Sequence, residues 1–172
     1  MEKIVLYLAG GLFNAGERLN NLMLEKHLKL LGYTVVLPQR EAKRFFKDGL
    51  FDIGGVVEDC YNHSRNYSGL LVGNIDGPDA DSGTAVEIGI AVSTTSRAIV
   101  YRTDFRTDPK RELGVNAMLR LPGTKFIYRP ALFTELEEVE GYYRALAAEI
   151  HEWVKKVYLG NFREPLAAQE NA

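Results

Sequence analysis

Short apolar runs alternating with helical patterns constrain this chain more than any other feature. Residues 3–9 form a β-rich run that ends at Gly10-Gly11. Residues 17–31 have helical spacing, with Leu19, Leu22, Met23 and Leu30 on one side, and Gly32 stops them. A second strand is expected over 33–37, ended by Pro38, and 49–65 reads as helical in its second half. A third strand over 69–75, a helix over 82–95 and strands over 97–102 and 125–128 follow. The last helix opens on Thr134-Glu135-Leu136-Glu137, which reads as a capping box between Thr134 and Glu137. Leu136, Val139, Tyr143, Leu146, Ile150 and Val154 or Val157 then recur at three- and four-residue steps. Alternation of this kind predicts an α/β fold, a parallel sheet of about five strands flanked by helices. Ligands of such sheets sit at the carboxyl ends of the strands, where strand order reverses. The residues just after the first three strands are therefore the ones to read for chemistry.

The 172 residues suit one domain, expected over 1–159, with 160–172 as a tail that is either a frayed terminus or an arm on a partner subunit. A formal net charge of −2 gives no electrostatic reason to expect a nucleic-acid polymer as partner. No apolar run reaches the roughly 18–20 residues that span a bilayer, and no basic leader precedes the first strand. The single cysteine, Cys60, rules out an intrachain disulfide. Together these favour a cytoplasmic globular protein with no membrane partner.

The glycine pair after the first strand lets a ligand approach the backbone, although neither a dinucleotide fingerprint nor a Walker loop is present. Gln39, after the second strand, carries a donor and an acceptor that suit a nucleobase edge or, equally, water. After the third strand, Asp76, Asp79 and Asp81 crowd six residues, a repulsion expected to be relieved by metal, water or substrate. Asp81 or Ser82 is expected to cap the next helix. Glu87 then stands alone among Val86, Ile88, Ile90 and Ala91. A glutamate in such a setting is paired, and pattern alone leaves it balanced between a structural salt bridge and a catalyst. The helix dipole would help keep it anionic. Gly89 in the same helix suggests a close packing neighbour. His27, His63 and His151 show no metal-ligand spacing, and no serine-hydrolase elbow occurs.

Tyr7-Leu8-Ala9-Gly10, the Asp76-Gly77 turn and Asp81-Ser82-Gly83-Thr84-Ala85-Val86-Glu87 resemble the nucleoside 2-deoxyribosyltransferases, and Asn116-Ala117-Met118-Leu119 resembles a later substrate-binding segment of that family. The resemblance implies a flavodoxin-like subunit, a retaining two-step transfer of 2-deoxyribose between nucleobases, and no cofactor. Glu87 matches the nucleophile, Tyr7 the residue that orients it, and Asp81 a sugar-binding carboxylate. Gln39 matches a base-contacting position. Gly10, Asp76 and Gly83 belong to the substrate-side motifs. Asn116 matches a residue reaching the 5′-hydroxyl from a neighbouring subunit, which implies a homo-oligomer built from dimers, a tetramer or a hexamer. Implied partners are nucleosides and free nucleobases. Where the family carries an Asp or Asn on the base, the ungapped match here is Tyr61, with Asp59 and Asn62 beside it. The general acid stays open between Asp59, Asn62 and Asp81.

Two other readings share this fold. A related branch hydrolyses nucleoside monophosphates and carries serines at the positions of Asp81 and Asn116. A non-catalytic nucleotide-binding domain is the second, since fold alone does not specify activity.

Overall fold

The structure, a computed structural model, describes residues 4–66, 68–95, 97–106 and 115–158. Five parallel strands make the main sheet: β1 (Val5–Ala9), β2 (Thr34–Val36), β5 (Gly69–Asn74), β6 (Ala98–Arg102) and β7 (Thr124–Tyr128), in the order β2-β1-β5-β6-β7. A two-stranded antiparallel hairpin, β3 (Phe46–Lys47) with β4 (Leu50–Phe51), lies outside it and was not expected. Its turn residues Asp48 and Gly49 both have positive φ. The helices are α1 (Ala15–Leu30), α2 (Pro38–Glu41), α3 (Ile53–Ser64), α4 (Ser82–Thr95) and α5 (Leu136–Tyr158). Strand order reverses between β1 and β5, as in a flavodoxin-like sheet. The proposed tail over 160–172 lies outside the described residues, and no helix among those described is long and apolar enough to cross a membrane.

Side chains of β1 alternate between two cores. Leu6 and Leu8 join Leu24 and Leu28 of α1 and Leu146, Ile150 and Val154 of α5. Tyr7 and Ala9 face the opposite way, toward Leu71, Ile88, Ala91 and Val100. Parallel strands covered on both faces read as continuous apolar runs, which is why β1, β5 and β6 stood out. The alternation also puts Tyr7, in register with Leu71, on the α4 face of the sheet.

Several local expectations change. In α1 the buried positions are Asn21, Leu24, Glu25, His27 and Leu28, while Leu19, Leu22 and Leu30 are exposed. Apolar residues occur on more than one side of this helix, and Glu25 is buried because Lys29 and Arg40 pair with it. The α5 cap is formed by Glu138 rather than Glu137: its Oε2 accepts from the backbone N–H groups of Thr134 and Glu135. Leu136, the first residue of that helix, is exposed. Among the described residues nothing lies within 4 Å of a Cβ placed at Gly89, so the close neighbour expected for that glycine is not found among them.

Candidate active site

The Tyr7 hydroxyl donates to Oε1 of Glu87 over 2.7 Å. The two residues are 80 positions apart, and the pair exists because strand alternation aims Tyr7 at α4 while Glu87 sits in that helix's second turn. Burial and the Glu87 charge hold the Tyr7 phenol protonated, so that it donates. Burial also raises the Glu87 carboxyl above its ordinary range; the Tyr7 hydrogen bond pulls the other way, and the nearby Asp81 charge adds a smaller upward push. The dipole argument is thus outweighed. Glu87 lies past the first helical turn, where dipole stabilisation has faded.

Asp81 caps α4. Its Oδ2 accepts from Thr84 N (2.8 Å) and Thr84 Oγ1 (3.0 Å). A Cβ at Gly83 would stand 3.2 Å from that same oxygen, so glycine keeps the cap uncrowded. Asp76 staples the ends of β5 and β6 together: it accepts from Thr103 N, Thr103 Oγ1 and Asp104 N, and from Asn74 Nδ2 at 3.0 Å. The acidic crowding is therefore relieved by backbone, hydroxyl and amide donors of the chain itself. Arg102, fully buried, donates to the carbonyls of Ile75 (2.7 Å) and Gly77 (2.9 Å) and pins the same loop.

The residues after β1 and β2 form a second polar group. Gly10 accommodates Asn74, whose Cβ would lie 3.1 Å from a side chain there; Gly11 accommodates the Glu17 carboxylate. These glycines admit neighbouring side chains, a use the ligand-approach reading did not anticipate. Gln39 is buried, its Oε1 accepting from Asn21 Nδ2 (3.1 Å) and its Nε2 donating to the Arg18 carbonyl (3.2 Å). Asn21 also donates to the Gly11 carbonyl (2.9 Å), tying α1 to both loops.

One face of α3 meets the Tyr7–Glu87 pair. The His63 ring stacks on that of Tyr7, with centroids 5.4 Å apart and planes 14° from parallel. His63 Nε2 lies 3.5 Å from Oδ1 of Asp59, which is also paired with Arg44. Cys60 neighbours both Tyr7 and Glu87, and burial pushes its thiol pKa up. Asn62 is exposed and lines a cleft with Arg65, Asn66, Ser68 and Thr94, at the opposite end of α4 from Asp81. Sequence reading missed His63 and Cys60 as site residues. The one available signal was their i,i+3 spacing, which puts them on a common helical face.

Asn116 caps its own 3₁₀ turn (Ala117–Arg120), Oδ1 accepting from Met118 N at 3.0 Å. That turn leads into the amino end of β7, and no described interaction joins Asn116 to Glu87 of the same chain. Among the described residues no cluster of three or more His, Cys, Asp or Glu side chains is arranged to hold a metal ion.

The model of the family named nucleoside 2-deoxyribosyltransferase matches residues 6–118. Two solved structures share the fold. A conserved protein from Enterococcus faecalis V583 superposes with a TM-score of 0.61 at 22% identity, covering 88% of this chain and 99% of that one. A 2-deoxyribosyltransferase from Bacillus psychrosaccharolyticus superposes with a TM-score of 0.58 at 23% identity, covering 83% of this chain and 95% of that one. No curated protein matches the chain in sequence. The family match spans Tyr7, Asp81, Glu87 and Asn116 together, and this chain belongs to the nucleoside 2-deoxyribosyltransferase family.

Proposed function

We propose that this chain transfers 2-deoxyribose from one nucleobase to another through an ester on Glu87, with retention of configuration. The observation that carries this reading is the carboxylate of Glu87 held by the buried Tyr7 hydroxyl. In the first step a Glu87 oxygen attacks C1′, the C1′–N bond breaks, and its electron pair leaves with the base. In the second step a different base attacks C1′ and releases Glu87. Two inversions restore the β-nucleoside, as in retaining glycosidases. Water in place of the second base gives slow hydrolysis. Tyr7 orients Glu87 for attack, and Asp81 receives the sugar on the oxygen its cap leaves free. Gly10, Gln39 and Asp76 shape the walls, the last two through their bonds to Asn21, Arg18, Thr103 and Asp104.

Asp81 also sets the preferred substrate. Two like charges about 4 Å apart repel by roughly 1–4 kcal/mol at effective dielectrics of 80–20. A carboxylate beside the 5′ position accepts a free hydroxyl and opposes a phosphate, so nucleosides exceed their 5′-monophosphates by at least about tenfold in kcat/KM. Incubating a deoxynucleoside, or its monophosphate, with a different free base and separating the products by chromatography tests both points. Equal or faster turnover of the monophosphate would contradict the role of Asp81. Base binding without exchange or hydrolysis would favour a binding module.

The site is completed by a second copy of the chain. Asn116 is engaged locally and reaches Glu87 through no described contact, while Val86 beside Glu87 and Met118 beside Asn116 are both exposed apolar residues. Burying them against a second copy would bring Asn116 to the 5′-hydroxyl of the neighbour's substrate.

A further inference from the structure

The departing base needs a proton, and the position left open by the sequence has a candidate on α3. We propose that His63 is the general acid that protonates the leaving base and the general base that deprotonates the incoming one; this rests on the transfer reading above. His63 lies flat against Tyr7, the residue that holds the nucleophile. Its Nε2 faces Asp59, which fixes the ring's orientation and leaves Nδ1 as the nitrogen that can exchange a proton. The side chain is 28% exposed, open enough to meet a ligand and enclosed enough to hold one position.

The other candidates are occupied. Asp59 is ion-paired with Arg44 and turned toward His63, so it orients an acid better than it acts as one. Asp81 caps the helix with one oxygen and, in the transfer reading, takes the sugar hydroxyl on the other, so neither is left for the base. Asn62 is an amide with no proton to give at neutral pH, and it lines a different cleft. The Tyr7 proton is already committed to Glu87.

The proton balance closes over the cycle. As the C1′–N bond breaks and the Glu87–C1′ ester forms, the imidazolium of His63 gives its proton to the base nitrogen that takes the electron pair. When the acceptor base attacks C1′ and Glu87 leaves as a carboxylate, the acceptor's N–H proton passes to neutral His63. No external acid or oxidant is consumed.

The test compares leaving groups that need a proton with leaving groups that do not. Substrates are the 2′-deoxynucleoside the wild type turns over best, 7-methyl-2′-deoxyguanosine, whose base departs already charged, and 4-nitrophenyl 2-deoxyriboside, whose phenolate departs unaided. In His63→Gln, kcat/KM on the ordinary deoxynucleoside is expected to fall by about 10²–10³-fold. On at least one activated substrate the loss stays under about threefold. His63→Phe keeps an aromatic ring on Tyr7 and guards against a folding artefact, with melting curves compared for both variants. It is expected not to rescue the ordinary substrate. Near-normal activity of His63→Phe, or equal losses on ordinary and activated substrates, would overturn the proposal and make His63 a packing partner of Tyr7. A wild type that cleaves none of the three removes the transfer reading itself, and this proposal with it.

Discussion

The two largest influences on Glu87 are opposed. Burial raises its carboxyl pKa, and the Tyr7 hydroxyl, donating over 2.7 Å, lowers it. A nucleophile must be ionised, so activity falls as pH drops through the Glu87 pKa, and that acid limb lies above the ordinary carboxylate range. Removing the hydroxyl takes away the lowering influence. Tyr7→Phe therefore moves the acid limb to still higher pH and reduces kcat by about 10–100-fold, readable in a pH–rate series with one deoxynucleoside and one acceptor base. An unmoved limb would mean that Tyr7 does not govern the charge of Glu87. Tyr7, Asp81 and Glu87 could be singled out in the sequence as candidates because each sits in a short motif with characteristic neighbours. His63 and Cys60 could not, since their place beside Tyr7 comes from α3 packing beside β1, more than fifty positions away in the chain, and their local sequence carries no motif.

At the level of elements, periodicity located the strands of the main sheet and α4, whose observed span of Ser82–Thr95 matches the expected one. Of the apolar residues it grouped on one side of α1, Leu19, Leu22 and Leu30 are exposed and Met23 packs on the core. The inward face is set by contacts with α5 and the sheet, and part of it is polar: Asn21 is buried because Gln39 and the Gly11 carbonyl satisfy its amide. Leu24→Ala, at a fully buried position, is expected to cost about 2–5 kcal/mol in urea denaturation. Leu22→Ala, at a position 42% exposed, is expected to cost under about 1 kcal/mol. Reversed magnitudes would restore the original face. The hairpin β3–β4 escaped notice because two-residue strands have too few positions to show alternation. The acidic loop was expected to find its relief in metal, water or substrate, and Asp76 finds it in donors of the chain itself. Its donors Thr103 and Asp104 come from the end of β6, which only the folded topology brings near.

For the whole molecule, the sheet order sets what one chain assembles. Reversal between β1 and β5 sets Gly10, after the first strand, against Asn74 at the end of the other, with Asp76 bonded to Asn74, and Tyr7 of β1 meets Glu87 of α4. Among the described residues no interaction joins Asn116 to this group. If a neighbouring subunit supplies it, two inactive variants complement each other: co-expressed Glu87→Ala and Asn116→Ala chains form mixed dimers in which one site carries both defects and the other carries neither. With random pairing about a quarter of the sites recover. Activity no higher than that of the separate variants would place Asn116 outside the shared site. The parallel α/β class was legible because βαβ alternation leaves few arrangements of the chain, and the flavodoxin-like form was implied by the family resemblance. Val86 and Met118 did not stand out, because an exposed apolar residue cannot be told from a core residue until the fold shows which face it takes. The central claim is the ester on Glu87, and it is tested most directly by mixing the protein with a deoxynucleoside in the absence of acceptor base, quenching in acid within milliseconds to seconds, and measuring intact and peptide masses. The account predicts an added deoxyribosyl group mapping to Glu87, discharged when a free base is supplied. Release of base with no adduct at any time, or an adduct on another residue, would contradict it.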